Sequence, residues 1–147
     1  MPLTPATTGE TAALVRPGVL LAPLGVWFVM AVLAVANGAL REVVLIPRVG
    51  EYPGHVLSTL LLVAAILAVS AAFFRTTGTA HTDLELFVVG LGWTVLTVGF
   101  EFLVGHVEGT PVSVTLGQYD VFAGQVWILV PFALLVAPYL FGRVLTG

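Results

Sequence analysis

The chain has 147 residues, of which 59% are hydrophobic and only 9% are charged. Because about a quarter of the residues in an ordinary soluble domain are charged, this composition places the chain in a lipid bilayer. Five basic residues stand against eight acidic ones, a net charge of −3, so the sequence offers no basic surface for nucleic acid. The absence of cysteine excludes disulfides, thiolate nucleophiles and cysteine-bound metals.

Four apolar stretches follow a polar N-terminal segment. Residues 1–17 are rich in Thr, Ala and Pro without apolar periodicity, which predicts a disordered or surface-lying tail. The apolar stretches lie at about 18–42, 55–75, 85–106 and 120–142, each near the roughly 20 residues that cross about 30 Å of hydrocarbon. The first is longer than the apolar core of a signal peptide, so we expect it to be retained. The predicted fold is an all-α membrane protein, with 18–147 forming one domain of four transmembrane helices in an up-and-down bundle.

Short connections rich in glycine and proline separate these stretches. The turns are predicted at Pro47–Gly54, Thr76–Asp83 and Gly105–Gly117. Such short links make sequence neighbours neighbours in space. Within the third turn, Val112–Leu116 alternates apolar and polar residues, which favours an extended segment at the membrane surface.

The arginines predict an orientation. Arg16, Arg75 and Arg143 flank the end of the bundle that holds both termini, whereas Arg41 is expected to be engaged inside the bundle. Because basic residues near span ends favour the cytoplasmic side, we expect a multi-pass protein of the cell (inner or plasma) membrane with both termini in the cytoplasm.

A polar layer is predicted in the outer half of the bundle. A charge at the centre of a span costs about 2.5–3.5 kcal/mol on insertion scales. We therefore expect Glu101, within the third stretch, to face the interior of the bundle and to have a polar partner there. Residues that are equally far from the centre of a turn lie at the same depth in the membrane. Counted in this way across the three turns, Arg41, Glu101 and Gln125 share one depth, which predicts an Arg41–Glu101 ion pair. The whole predicted cluster comprises Asn37, Arg41, Glu42, His55, Ser58, Thr97, Glu101, His106, Asp120 and Gln125.

Several roles remain open for this cluster. It is a purely structural clamp between helices, or it lines a cavity used for binding or transport. The same counting across the turns places His55, His106 and Asp120 near Glu101. These side chains are a donor set suited to zinc or iron, although no HxxxH or ExxH spacing supports a metal site. A bis-histidine haem is a further alternative, as are histidines that carry protons. We favour interfacial hydrogen bonding for the histidines and predict no cofactor.

The remaining aromatic and charged residues are expected at the membrane surfaces. Tyr52, Tyr119 and Trp127 at the outer surface, and Tyr139 and Trp27 at the inner one, are expected to form aromatic belts. The polar side chains of the second turn are expected to be hydrated at the membrane surface, and nothing comparable to the outer cluster is expected in the inner half. These side chains are those of His81 and Asp83 in the turn and of Glu85 just after it.

Polar motifs in these stretches resemble a family of small four-span prokaryotic integral membrane proteins with no assigned activity. The motifs are Asn-x3-Arg-Glu at 37–42, His-x2-Ser at 55–58, Phe-Glu-Phe-x2-Gly-His at 100–106 and Tyr-Asp-x3-Gly-x2-Trp at 119–127. The likeness covers roughly Ala36–Pro138. In that family the position of Gln125 is usually Arg, and an aromatic-rich third loop replaces the Val-Ser-Val stretch. The resemblance therefore implies a shared polar cluster but supplies no mechanism.

Three functions follow as hypotheses. The first is a non-enzymatic membrane protein whose outer-half cavity binds or passes a small polar solute, an ion or a proton. Because four helices enclose a site but hardly a wide pore, conduction would require a homo-oligomer. The second is an accessory or structural subunit of a larger membrane complex. The third, and least favoured, is a metal-dependent membrane enzyme.

Overall fold

The computed structural model describes residues 15–120 and 125–146, and within those ranges the chain is helical, with no β-strand. Three helices are long and apolar enough to cross a membrane, and the apolar part of the last helix, Leu129–Val144, is shorter. The all-α prediction is therefore confirmed, and the helices are compatible with a bilayer. The helices are α1 (Pro17–Val49), α2 (Glu51–Thr76), α3 (Asp83–Val107), α4 (Val112–Gly117) and α5 (Leu129–Thr146). Most of the predicted tail and the start of the fourth predicted stretch lie outside the described residues.

The turn between α1 and α2 is much shorter than the predicted Pro47–Gly54 loop. Helix α1 continues to Val49 and α2 begins at Glu51, so only Gly50 separates them. Its φ of 95° lies in the left-handed region that glycine adopts without steric cost. A Cβ at Gly54 would stand 2.9 Å from Ile46 Cγ1, so the two helices leave this turn in close contact.

A π-helical turn interrupts α1 at Arg41–Leu45. The N–H of Ile46 donates to the carbonyl of Arg41, five residues earlier, which is the hydrogen-bond spacing of a π-helix. A π turn fits more residues into a turn than an α-helix does, so it changes the direction of the side chains that follow it. Such turns are frequent at functional sites.

The helices do not pack in chain order. Helix α5 packs along both α2 and α3, while α1 packs mainly on α2 and touches α3 more sparsely. The prediction that sequence neighbours are spatial neighbours is therefore wrong for α2 and α3, whose main common neighbour is α5. One reason is the close approach of α3 to α5: a Cβ at Gly90 would collide with the backbone carbonyl of Leu135.

The expected extended segment at 112–116 is a helix instead. Pro111 stands before α4 with φ −61° and ψ 146°, and the next residue begins the helix. Val112, Val114 and Leu116 are exposed, whereas Thr115 is only 3% exposed and packs at Gly105. The alternation misled the prediction because it does not mark a buried apolar face: the one buried residue of this short helix is the polar Thr115.

Arg16 and Glu85 form an ion pair at the end of the bundle where α1 begins. The sequence predicts no buried charge at this end. The Glu85 side chain is fully buried and accepts hydrogen bonds from Arg16 Nε and Nη2, each at 2.9 Å. The backbone N–H groups of Arg16 and Thr82 add two more, each at 2.8 Å. Hydrogen bonding to Glu85 raises the pKa of Arg16 above its ordinary value.

The prediction that the second turn is simply hydrated is thus wrong for Glu85. Both ring nitrogens of His81 are also buried, without a hydrogen-bond partner in the described part of the chain. Its ring packs against Phe73 and Phe74, with the nearer centroid at 5.6 Å. Only Asp83 is exposed as expected, in an ion pair with Arg143 at 2.8 Å.

Candidate functional site: an amphipathic cavity within the helices

A cavity of about 570 Å³ lies among α1, α2, α3 and α5. One part of its wall is aromatic and aliphatic, with Trp27, Met30, Ala34, Leu62, Phe100 and Leu134 among its residues. The other end, beside the π turn and α4, is polar, with Arg41, Glu42, Glu101, Glu108 and Gln118. The cavity is therefore amphipathic along its length.

Glu101 is held in place by two aromatic donors. Trp127 Nε1 donates to Glu101 Oε1 at 2.8 Å, and the hydroxyl of Tyr119 donates to Glu101 Oε2. The indole N–H can only donate, so Glu101 Oε1 acts as an acceptor. The two aromatic side chains thus take the place of water around this acidic group.

The donors reach Glu101 from the segment between α4 and α5. Tyr119 lies two residues after the end of α4, and Trp127 lies two residues before the start of α5. Burial and the neighbouring Glu101 carboxylate raise the pKa of Tyr119 above its ordinary value, so its phenol remains a donor. Trp127 is 7% exposed and belongs to the hydrophobic core. Neither residue forms the outer aromatic belt that the sequence suggests.

Trp27 is a second correction to the predicted aromatic belts. It is 8% exposed and its Nε1 donates to Thr97 Oγ1 at 2.9 Å. Its ring meets Phe100 edge to face, with centroids 6.1 Å apart. Trp27 and Thr97 thus join α1 to α3 along the cavity wall.

The predicted ion pair between Arg41 and Glu101 is not formed. Both residues line the cavity, but Arg41 Nε pairs with the adjacent Glu42 Oε1 at 3.3 Å. Helical rise predicts the depth of a residue but not its direction, which the π turn alters. Tyr119 and Trp127 supply the donors that Glu101 needs, so its burial does not depend on Arg41.

Asn37, His55 and Ser58 form a separate group where α1 meets α2. Asn37 Nδ2 donates to the backbone carbonyl of Ser58 at 2.9 Å, and Ser58 Oγ donates to the carbonyl of His55 at 3.0 Å. The His55 ring stacks obliquely near Trp127, with centroids 5.7 Å apart. None of the three lines the cavity. Asn37 Oδ1 and His55 Nε2 are buried with no hydrogen-bond partner among the described residues.

The other predicted members are scattered. His106 and Asp120 are exposed, and half-buried Gln125 does not line the cavity. Over residues 15–120 and 125–146, no three His, Asp or Glu side chains come close enough to hold a metal ion. The proposed ligand set of His55, His106, Asp120 and Glu101 is therefore not assembled in this structure.

Several residues that complete the site are not predicted from the sequence. Tyr119 and Trp127 are expected in a belt, Glu108 falls in the predicted third turn, and Gln118 lies between that turn and the fourth predicted stretch. One signal that points to the aromatic pair is that Tyr119 and Trp127 both belong to the motif that carries the family resemblance. Gln118 cannot be found from its type alone, since a glutamine in a surface loop is commonplace.

Comparison with models of protein families, with curated proteins and with solved structures finds no match to this chain. The resemblance to small four-span prokaryotic membrane proteins stays a prediction from the sequence.

Proposed function

We propose that this is a non-enzymatic integral membrane protein that binds a small molecule in the amphipathic cavity and that passes it between the membrane and one aqueous side. In this proposal α1, α2, α3 and α5 all cross the bilayer in up-and-down order, with both termini in the cytoplasm. The observation that carries the proposal is the cavity itself, with Glu101 fixed at its polar end by Tyr119 and Trp127.

Energetic reasoning favours a binding role over a purely structural one. A carboxylate placed within an apolar helix is costly, and a structural clamp would satisfy it with an opposite charge. Here Glu101 lines a cavity and is held by neutral donors, while the nearby Arg41 is paired with Glu42. An arrangement that keeps a charge beside open space suits a ligand better than it suits packing.

The position of the π turn agrees with this role. Its residues Arg41 and Glu42 lie at the polar end of the cavity, which is also lined by Glu101 on α3 and by Glu108 just after α3. Because π turns interrupt regular hydrogen bonding, they persist where the side-chain direction they produce is useful.

Cysteine accessibility tests the proposal, because the chain has no native cysteine. Ala34 lines the cavity, whereas Val32, at nearly the same depth on α1, is 69% exposed on the outer face of the helices. In lipid nanodiscs, a water-soluble maleimide should label Ala34→Cys much faster than Val32→Cys. Equal protection of both cysteines would show that no aqueous cavity reaches this depth and would overturn the proposal.

A further inference from the structure

The charges around the cavity are unbalanced in favour of acids. Three carboxylates line it, from Glu42, Glu101 and Glu108, against one guanidinium from Arg41. The Arg41–Glu42 pair accounts for one charge of each sign. Glu101 and Glu108 are therefore the two acidic side chains of the lining without a basic partner there, and a ligand of positive charge would complement them.

The wall beyond the polar end suits an apolar body. Trp27, Phe100 and Trp127 present aromatic surface, and aliphatic side chains from α1, α2 and α5 complete the wall. Aromatic faces also attract organic cations through the ring quadrupole. A volume of about 570 Å³ is in the range of pockets that hold small organic molecules.

An inorganic cation fits this site less well. Calcium takes six to eight oxygen ligands, and magnesium keeps an octahedral shell. No three acidic or histidine side chains in the described part of the chain converge on one point. The oxygens of Glu101 are already engaged by two donors, which leaves it suited to a long-range charge interaction more than to direct metal coordination.

We propose that the ligand of this cavity is a lipophilic cation: a positively charged ammonium-like or phosphonium-like centre carried on an apolar body. The positive centre lies beside Glu101 and Glu108, and the body lies against Trp27 and Phe100. This inference rests on the proposed binding function and specifies the class of ligand.

Two ions of nearly the same shape and opposite charge provide the test. Tetraphenylphosphonium and tetraphenylborate are added to the full chain carrying Ala34→Cys in nanodiscs, and the rate of maleimide labelling is measured. We expect tetraphenylphosphonium to slow labelling saturably, and tetraphenylborate to have at least tenfold weaker effect. Decanol serves as a neutral amphiphile in a third arm.

Variants locate the charge that is responsible. Glu108→Gln changes an exposed side chain and should weaken protection by tetraphenylphosphonium several-fold without loss of folding. Glu101→Gln should weaken it about tenfold, provided that gel filtration shows a folded protein. Asp83→Asn, at the opposite end of the same helix and outside the cavity, is the matched control and should leave protection unchanged.

The outcomes separate the two proposals. Protection by decanol or tetraphenylborate without protection by tetraphenylphosphonium would overturn the cationic ligand and leave the binding function standing. If none of the three protects a cysteine that is otherwise labelled, both proposals are wrong. The cationic ligand would also be overturned if tetraphenylphosphonium protected the Glu108→Gln and Glu101→Gln variants as strongly as it protects the parent.

The positive centre has two natural sources, a soluble organic cation or the amine head of a lipid. Nanodiscs of phosphatidylglycerol contain no amine, and nanodiscs with phosphatidylethanolamine do. Weaker protection by tetraphenylphosphonium in the second kind would support a lipid amine as the occupant. Equal protection in both would support a soluble cation.

Discussion

Trp127 Nε1 and Glu101 Oε1 are 2.8 Å apart, and this bond joins the segment just before α5 to the one carboxylate that lies well inside α3. Tyr119 donates to the other oxygen of the same carboxylate. Because lipid offers no hydrogen-bond donors, the carboxyl oxygens of Glu101 depend on these two side chains for their hydrogen bonds. The polar end of the cavity is therefore built by hydrogen bonds from neutral aromatic side chains.

Removing the Tyr119 hydroxyl should destabilise the protein. Tyr119→Phe keeps the ring but leaves Glu101 Oε2 without this donor, at a cost of about 1.5–3 kcal/mol for a hydrogen bond to a charged group. Titration with sodium dodecyl sulfate in mixed micelles measures the free energy of unfolding. Tyr139→Phe is the control, since Tyr139 is exposed and its hydroxyl accepts a long 3.4 Å bond from Arg143.

A double-mutant cycle with Glu101→Gln identifies the cause of that loss. If the hydroxyl acts through the carboxylate, Tyr119→Phe should cost much less in the Glu101→Gln background than in the parent. Equal costs in both backgrounds would contradict a direct Tyr119–Glu101 interaction.

Neutralising Glu85 should also destabilise the chain. Glu85→Gln replaces an acceptor of four hydrogen bonds with an amide that accepts at one end only, so we expect a loss of about 2–3 kcal/mol. Asp83→Asn, in the exposed pair with Arg143, should cost distinctly less because water replaces its interactions. Equal losses, measured by the same titration, would show that burial of Glu85 does not matter.

The helical class and the depth of the charged residues are more predictable from the sequence than the partners of those residues. Depth follows from a rise of 1.5 Å per residue, so helix geometry alone assigns Arg41 and Glu101 to one region. The direction of a side chain around the helix is harder to predict: Arg41 stands at the start of the π turn and pairs with Glu42 instead of Glu101. The burial of Glu85 is not predictable in this way because its partner, Arg16, lies in the segment assigned to a tail.

The packing order of the helices does not follow from turn lengths alone. Short turns limit where the next helix begins but not which faces meet. The insertion of α5 between α2 and α3 depends on Gly90 and Gly142, whose missing side chains leave room for Leu135 and Leu86 respectively. Glycine in an apolar helix predicts close packing somewhere, yet it does not name the partner.

A methyl group at Gly90 should therefore disturb the contact between α3 and α5. Gly90→Ala would force Leu135 away, and overpacking of this kind costs typically about 1–3 kcal/mol. Gly99→Ala on the same helix meets nothing within 4 Å, so it should leave stability unchanged or raise it slightly. If the two variants unfold at the same detergent fraction, the close approach at Gly90 is not important for stability.

The orientation can be decided by labelling single cysteines from one side of the membrane. Glu51 begins α2, and Thr79 lies in the turn between α2 and α3, at the end where Arg16 and Arg143 are found. Because basic residues favour the cytoplasmic side, a membrane-impermeant maleimide added to intact cells should label Glu51→Cys and spare Thr79→Cys. Permeabilised cells should label both, which shows that each site is reactive. The reverse pattern in intact cells would place both termini outside and would put the polar end of the cavity on the cytoplasmic side.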